Sequence, residues 1–125
     1  MSTQRTIAIL ATSATLVLSG TIMALAHAQL VRATPAVGGT VQVPLSEVTL
    51  RFNERLEGKF SSVVVRDATG KQVDKGDGAV DKNDRTLMRV QLQQPVPPGL
   101  YKVEWKVMSA DTHKVDGNFT FKVDE

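Results

Sequence analysis

The chain has 125 residues, room for one domain, with a formal net charge of +2 and no cysteine. Without thiols it cannot carry disulfides, iron–sulfur clusters, thiolate zinc sites or the cysteine ligand of a blue-copper centre. Basic and acidic residues alternate without a basic block, which argues against a nucleic-acid partner.

The first segment reads as a secretory signal peptide. A polar start with one positive charge, Arg5, precedes a largely apolar run from Ile7 to Leu18 and a second from Ile22 to Ala26. Ala24-Leu25-Ala26 is a small-x-small cleavage signal, so residues 1–26 are expected to form a helical leader that is removed. A second such signal, Ala26-His27-Ala28, overlaps it. Cutting after Ala26 leaves His27 at the terminus of a domain spanning 27–125; cutting after Ala28 discards it. A terminal histidine offers its α-amine and its imidazole on one residue, a chelating pair that orders little further chain.

The remainder alternates apolar and polar residues with a period of two, the pattern of half-buried strands. Gln29–Ala33 opens it, followed by breakers at Thr34-Pro35 and Gly38-Gly39, and Val41–Val43 is a short candidate before Pro44. Glu47–Asn53 places Val48, Leu50 and Phe52 on one face, and Phe60–Arg66 holds three consecutive valines. A turn at Ala68–Lys71 leads into a brief strand at Gln72-Val73, then a glycine- and aspartate-rich loop over 75–84. Thr86–Leu92 alternates again, and a stiff segment with Pro95, Pro97 and Pro98 leads into Leu100–Met108, read as the longest strand. Gly117–Val123 closes the chain with Phe119, Phe121 and Val123 on one face. Short strands with frequent turns and no helical stripe predict an all-β antiparallel sandwich or small barrel. Trp105 is expected in the core, and Tyr101, just after Pro98-Gly99, is expected to anchor a turn through its hydroxyl.

The chemistry concentrates in Ser109-Ala110-Asp111-Thr112-His113. In extended chain Asp111 and His113 share a face about 6.6 Å apart, within reach of one metal ion. The plainer alternative is a polar pair on a surface turn. His27 is the other histidine of the chain.

Several stretches together resemble the CopC/PcoC family of periplasmic copper-resistance proteins. They are His27-Ala28-Gln29-Leu30-Val31 with Thr34-Pro35-Ala36, then Leu50-Arg51-Phe52-Asn53-Glu54, and Pro98-Gly99-Leu100-Tyr101-Lys102-Val103-Glu104-Trp105. Ser109–His113 and Gly117-Asn118-Phe119-Thr120-Phe121-Lys122-Val123 complete the set, in the family's order. The resemblance implies a seven-stranded Greek-key, immunoglobulin-like β-sandwich, exported to the periplasm, monomeric, that binds one Cu(II) per chain. It implies His27, Asp111 and His113 as copper ligands. Glu54 stands where the family has a carboxylate near the copper, as an axial ligand or as a hydrogen-bonding partner of a ligand. An inner-membrane CopD-type copper transporter is the partner it suggests. The methionine-rich loop that holds Cu(I) in some members has no counterpart, since residues 75–84 contain no methionine.

Imidazole and amine nitrogens with a carboxylate oxygen form the tetragonal N,O set that Cu(II) prefers. Such nitrogens bind only when deprotonated, so affinity falls as pH drops. The expected role is sequestering or passing on copper in copper homeostasis or resistance, with no catalytic residues. Two other readings compete. A small copper monooxygenase also uses a terminal histidine, but one Trp and one Tyr leave little for a sugar-stacking face, and Asp111 would fill a position that oxygen chemistry needs open. A metal-free immunoglobulin-like domain predicts no response to copper.

Overall fold

The computed structural model describes residues 27–125; the expected leader, residues 1–26, lies outside the described residues. Eight strands form two four-stranded sheets, and the all-β sandwich expected from the alternation is what the chain adopts. β1 (Leu30–Thr34), β3 (Glu47–Phe52), β6 (Leu87–Gln91) and β5 (Ala79–Val80) form the first sheet in the order β1-β3-β6-β5. β2 (Thr40–Gln42), β8 (Lys114–Asp124), β7 (Gly99–Met108) and β4 (Ser62–Asp67) form the second, in the order β2-β8-β7-β4. The chain crosses between the sheets after β1, β2, β3, β4 and β6, as a Greek-key sandwich requires.

Period-two alternation sets the register of the core. Val48, Leu50 and Phe52 of β3, Met88 and Val90 of β6, and Val63 and Val65 of β4 face inward and are essentially inaccessible. So are Val103 and Val107 of β7 and Phe121 and Val123 of β8, with Phe119 close behind. A one-residue slip would turn these sets to solvent. Burying each such side chain contributes about 1.5–3 kcal/mol relative to leaving it exposed.

Details depart from the sequence reading for identifiable reasons. β2 pairs in parallel with β8, whereas every other ladder is antiparallel. The chain reaches that position by leaving the first sheet at Pro35 and turning at Gly38, whose φ of +69° suits glycine. The eighth strand is β5, two residues inside the glycine- and aspartate-rich loop. Gln72-Val73 is a crossing point and not a strand. Gln72 bridges to Arg66 in one sheet and Asp74 to Leu92 in the other. The buried Asp74 carboxylate secures that crossing by accepting from Val65 N, Gln72 Nε2 and Gly76 N at 2.7–3.0 Å. The longest strand is β8, with 11 residues to the 10 of β7, because its pairing continues back to Lys114 opposite Met108.

Trp105 is half-buried instead of enclosed. Its ring lies between Phe52 and Phe119, each centroid 6.0 Å away, and over Gly117, its register partner on β8. A Cβ at position 117 would stand 2.5 Å from Cζ2 of the indole, so only glycine leaves room for the ring. Tyr101 behaves as expected: its hydroxyl donates to Pro97 O at 2.6 Å, and its ring stacks on Phe121.

Candidate metal centre

At the end of β7 the chain reverses through Ser109–His113 and returns as β8. Ser109 N donates to His113 O at 2.9 Å and Thr112 N donates to Ser109 O at 2.8 Å. This is the three-residue hairpin in which a tight turn is followed by a left-handed residue. That residue is Thr112, at φ +74°, the one non-glycine with positive φ among the described residues. A β-branched side chain is strained there. Asp111 and His113 therefore come together by a turn and not by the extended spacing inferred from sequence. The outcome is the same juxtaposition at closer range: Asp111 Oδ1 lies 3.1 Å from His113 Nδ1.

The turn is fixed from below. Ala110 N donates to Arg55 O at 2.9 Å, Glu57 N donates to Met108 O at 2.8 Å, and Leu56 bridges Ser109. Arg85 clamps the same segment, its guanidinium donating twice to Leu56 O. Residues 55–57 thus form a rail along which the turn lies.

The start of the described chain is tied to the same region. Asn53, just past β3, receives the backbone N–H of Gln29 on its side-chain oxygen at 2.8 Å and returns its own N–H to Gln29 O at 3.0 Å. Ala28 is 2% exposed and belongs to the core cluster. With those two residues pinned, His27 projects at the surface with its ring centroid 5.4 Å from that of His113, edge to face. Metal–nitrogen bonds of about 2 Å let one ion reach two rings at that separation.

The electrostatics favour a cation. The Ser109 hydroxyl first, and then His113, hold the Asp111 carboxyl below its ordinary range, so it is ionised at neutral pH. Asp111 accepts from Ser109 Oγ and from His113 N. His113 Nδ1 is a buried atom with no hydrogen-bond partner, because the approach of Asp111 is close but badly directed. A buried nitrogen in that condition is costly unless something else satisfies it.

Glu54 is half-buried on the bend between Asn53 and Arg55. Its backbone therefore runs between the two arms of the site, yet among the described residues its carboxylate forms no ion pair with either histidine. No cluster of three His, Cys, Asp or Glu side chains among the described residues is drawn tightly enough to cage an ion unaided. In the full-length chain the His27 nitrogen is still an amide joined to Ala26. Sequence reasoning assigned no role to Asn53 or Ser109. A side-chain acceptor directly after a strand and a serine two residues before an aspartate are the local signals of such turns.

A family profile described as a CopC domain matches residues 30–124. The chain belongs to the CopC family. Among CopC relatives, copper resistance protein C of Pseudomonas syringae pv. tomato is 33% identical over 106 residues, covering 81% of this chain and 83% of that protein. Copper transport protein CutJ of Bacillus subtilis is 31% identical over 98 residues, 78% of this chain but 18% of that much longer protein. Of solved structures, PcoC of Escherichia coli, described as a methionine-rich copper resistance protein, superposes with a TM-score of 0.70 at 31% identity, covering 79% of this chain and all of that one. CopC of Methylosinus trichosporium OB3b gives 0.68 at 32% identity, covering 78% and 94%. The CopC fold is thus the fold of this chain.

Proposed function

We propose that the mature protein begins at His27 and binds one Cu(II) ion in the periplasm, to sequester it or hand it on. The ligands are the α-amine and imidazole of His27, the imidazole of His113 and the carboxylate of Asp111, with Glu54 as an axial ligand or hydrogen-bonding partner. The observation that carries this reading is the meeting of the His27 and His113 rings, 5.4 Å apart, beside an ionised Asp111 and an unsatisfied His113 Nδ1. Copper resistance proteins and a copper transport protein among the relatives support copper as the ion. Two nitrogens from His27, one from His113 and an oxygen suit Cu(II).

Burial of Ala28 supports cleavage after Ala26. A cut after Ala28 would strip a residue from the core cluster together with the histidine. Cleavage after Ala26 frees the α-amine and leaves the pinned segment intact. The residues then divide the work. Asn53 fixes where the terminus lies, the turn fixes Asp111 and His113, and the negative carboxylate offsets part of the ion's charge. Bound copper would satisfy nitrogens that protein groups leave open.

Cu(I) storage fits poorly. Of the methionines after residue 26, Met88 is fully buried in β6 and Met108 is half-buried in β7. Release to an inner-membrane CopD-type partner is supported by the match of this domain to a small part of a copper transport protein.

Intact mass of the exported protein tests the terminus: a mass starting at His27 is expected, and one starting at Gln29 overturns the site. Copper titration followed by EPR should then show one nitrogen-rich Cu(II) per chain, lost in His27→Ala and His113→Ala. An unchanged spectrum in either variant refutes the ligand set. Tight Cu(I) binding that disappears in Met88→Ala would refute the restriction to Cu(II).

A further inference from the structure

Ser109 is 0% exposed, although it opens a turn whose other members are open to solvent. Its hydroxyl donates to Asp111 Oδ1 and also lies 3.3 Å from His113 O. The same Oδ1 accepts the His113 N–H at 3.3 Å and faces His113 Nδ1 at 3.1 Å. Among the described residues Oδ2 accepts nothing. All internal donors to this carboxylate therefore converge on one oxygen, and the strongest of them comes from a dry position. A hydrogen bond to an ionised acceptor is about twice as strong as a neutral one, and exclusion of water strengthens it further.

From this asymmetry we infer that Ser109 is a positioning residue for copper. It anchors Oδ1 of Asp111 to the base of the turn and so presents Oδ2 as the oxygen free to meet the ion. The inference rests on the copper site proposed above. Without the hydroxyl, Asp111 is held by one long bond from His113 N, and its carboxylate turns freely into solvent. The ion then meets two histidines and an unfixed acid. Loss of a hydrogen bond that orients a metal ligand costs about 10–100-fold in affinity.

The main route from Ser109 to copper is Asp111, the contact with His113 O at 3.3 Å being the longer of the two, and that is what separates positioning from a general contribution to the turn. A double-mutant cycle on the mature chain reads it. Cu(II) affinity by competition titration, and EPR parameters, are measured for wild type, Ser109→Ala, Asp111→Ala and the double variant. Ser109→Ala is expected to lower affinity about 10–100-fold and to shift the EPR spectrum toward that of Asp111→Ala. In the Asp111→Ala background the same change is expected to do little further, less than about threefold. Equal losses in both backgrounds would overturn the inference, since Ser109 would then act through the backbone turn. So would a wild-type spectrum and affinity in Ser109→Ala. If Ser109→Ala does not fold, Ser109→Gly removes the same hydroxyl and carries the same arms. Wild type that binds no Cu(II), or Asp111→Ala that binds as wild type does, defeats the ligand set and overturns this inference with it, a failure told apart from the others because it appears with Ser109 unchanged.

Discussion

The two ends of β7 handle polar groups in opposite ways. At one end Tyr101 is 4% exposed, its ring stacked on Phe121 and its hydroxyl satisfied by Pro97 O. At the other, Asp111 and His113 keep about two-fifths of their side-chain surface, 41% and 43%, while one imidazole nitrogen is buried without a partner. At the first end the buried hydroxyl is matched by protein. The second is rigid in its backbone but open in its side-chain chemistry. The buried polar atom is satisfied at one end of the strand and left without a partner at the other, and it is at the second end that the candidate ligands lie.

The sharpest way to break this contrast is to damage the shared body. Phe121→Ala removes the ring beneath Tyr101 and should cost about 3–5 kcal/mol in chemical denaturation. Copper stoichiometry should stay at wild type under conditions where the variant is still folded. A smaller loss, about 1–3 kcal/mol, is expected for Gly117→Ala, whose new methyl would drive the Trp105 ring from its place. Because Trp105 is the single tryptophan, its emission should shift with the unfolding midpoint. An unchanged spectrum would mean the ring has slack that the geometry does not show.

Tyr101→Phe sharpens the comparison from the first end. It leaves Pro97 O without its donor and should cost about 1 kcal/mol while Cu(II) affinity stays the same. The smallest effect is electrostatic and sits on the outer face of the first sheet. The Thr86 hydroxyl and N–H, with the Arg51 guanidinium, lower the Asp84 carboxyl from 3.8 to about 2. A carboxyl depressed in the folded state stabilises above its unfolded value and loses that contribution as pH falls through about 2. Stability should therefore decline between about pH 4 and pH 2, less steeply in Asp84→Asn. Identical acid limbs for the two proteins would remove Asp84 from the account.

How much of this could be read from the residues depends on the range of the interaction. Val48-Leu50-Phe52 and Phe119-Phe121-Val123 announced their faces because a strand buried on one side repeats every two residues. The tyrosine anchor was legible from a neighbouring proline and glycine. The parallel pairing of β2 was not, since three residues carry no direction and the partner lies some eighty positions away. The half-burial of Trp105 depends on Gly117 across the ladder, which composition cannot reveal. The meeting of His27 and His113 came from family resemblance, because no local pattern links residues at opposite ends of a chain. The geometry of the Asp111–His113 pair was misjudged as extended, since the backbone N–H groups of the turn, and not strand period, decide it.

Ala28 carries one more consequence. Its methyl is packed inside, and the peptide beside it is locked to Asn53. Proteases work on loose, exposed chain, and the folded sandwich holds Ala28 and the Gln29 backbone out of that condition. A cut after Ala28 would then have to come before the first sheet closes, whereas a cut after Ala26 would leave that packing untouched. Under the copper reading proposed above, the packed alanine would act as a backstop that keeps trimming from taking the histidine with it.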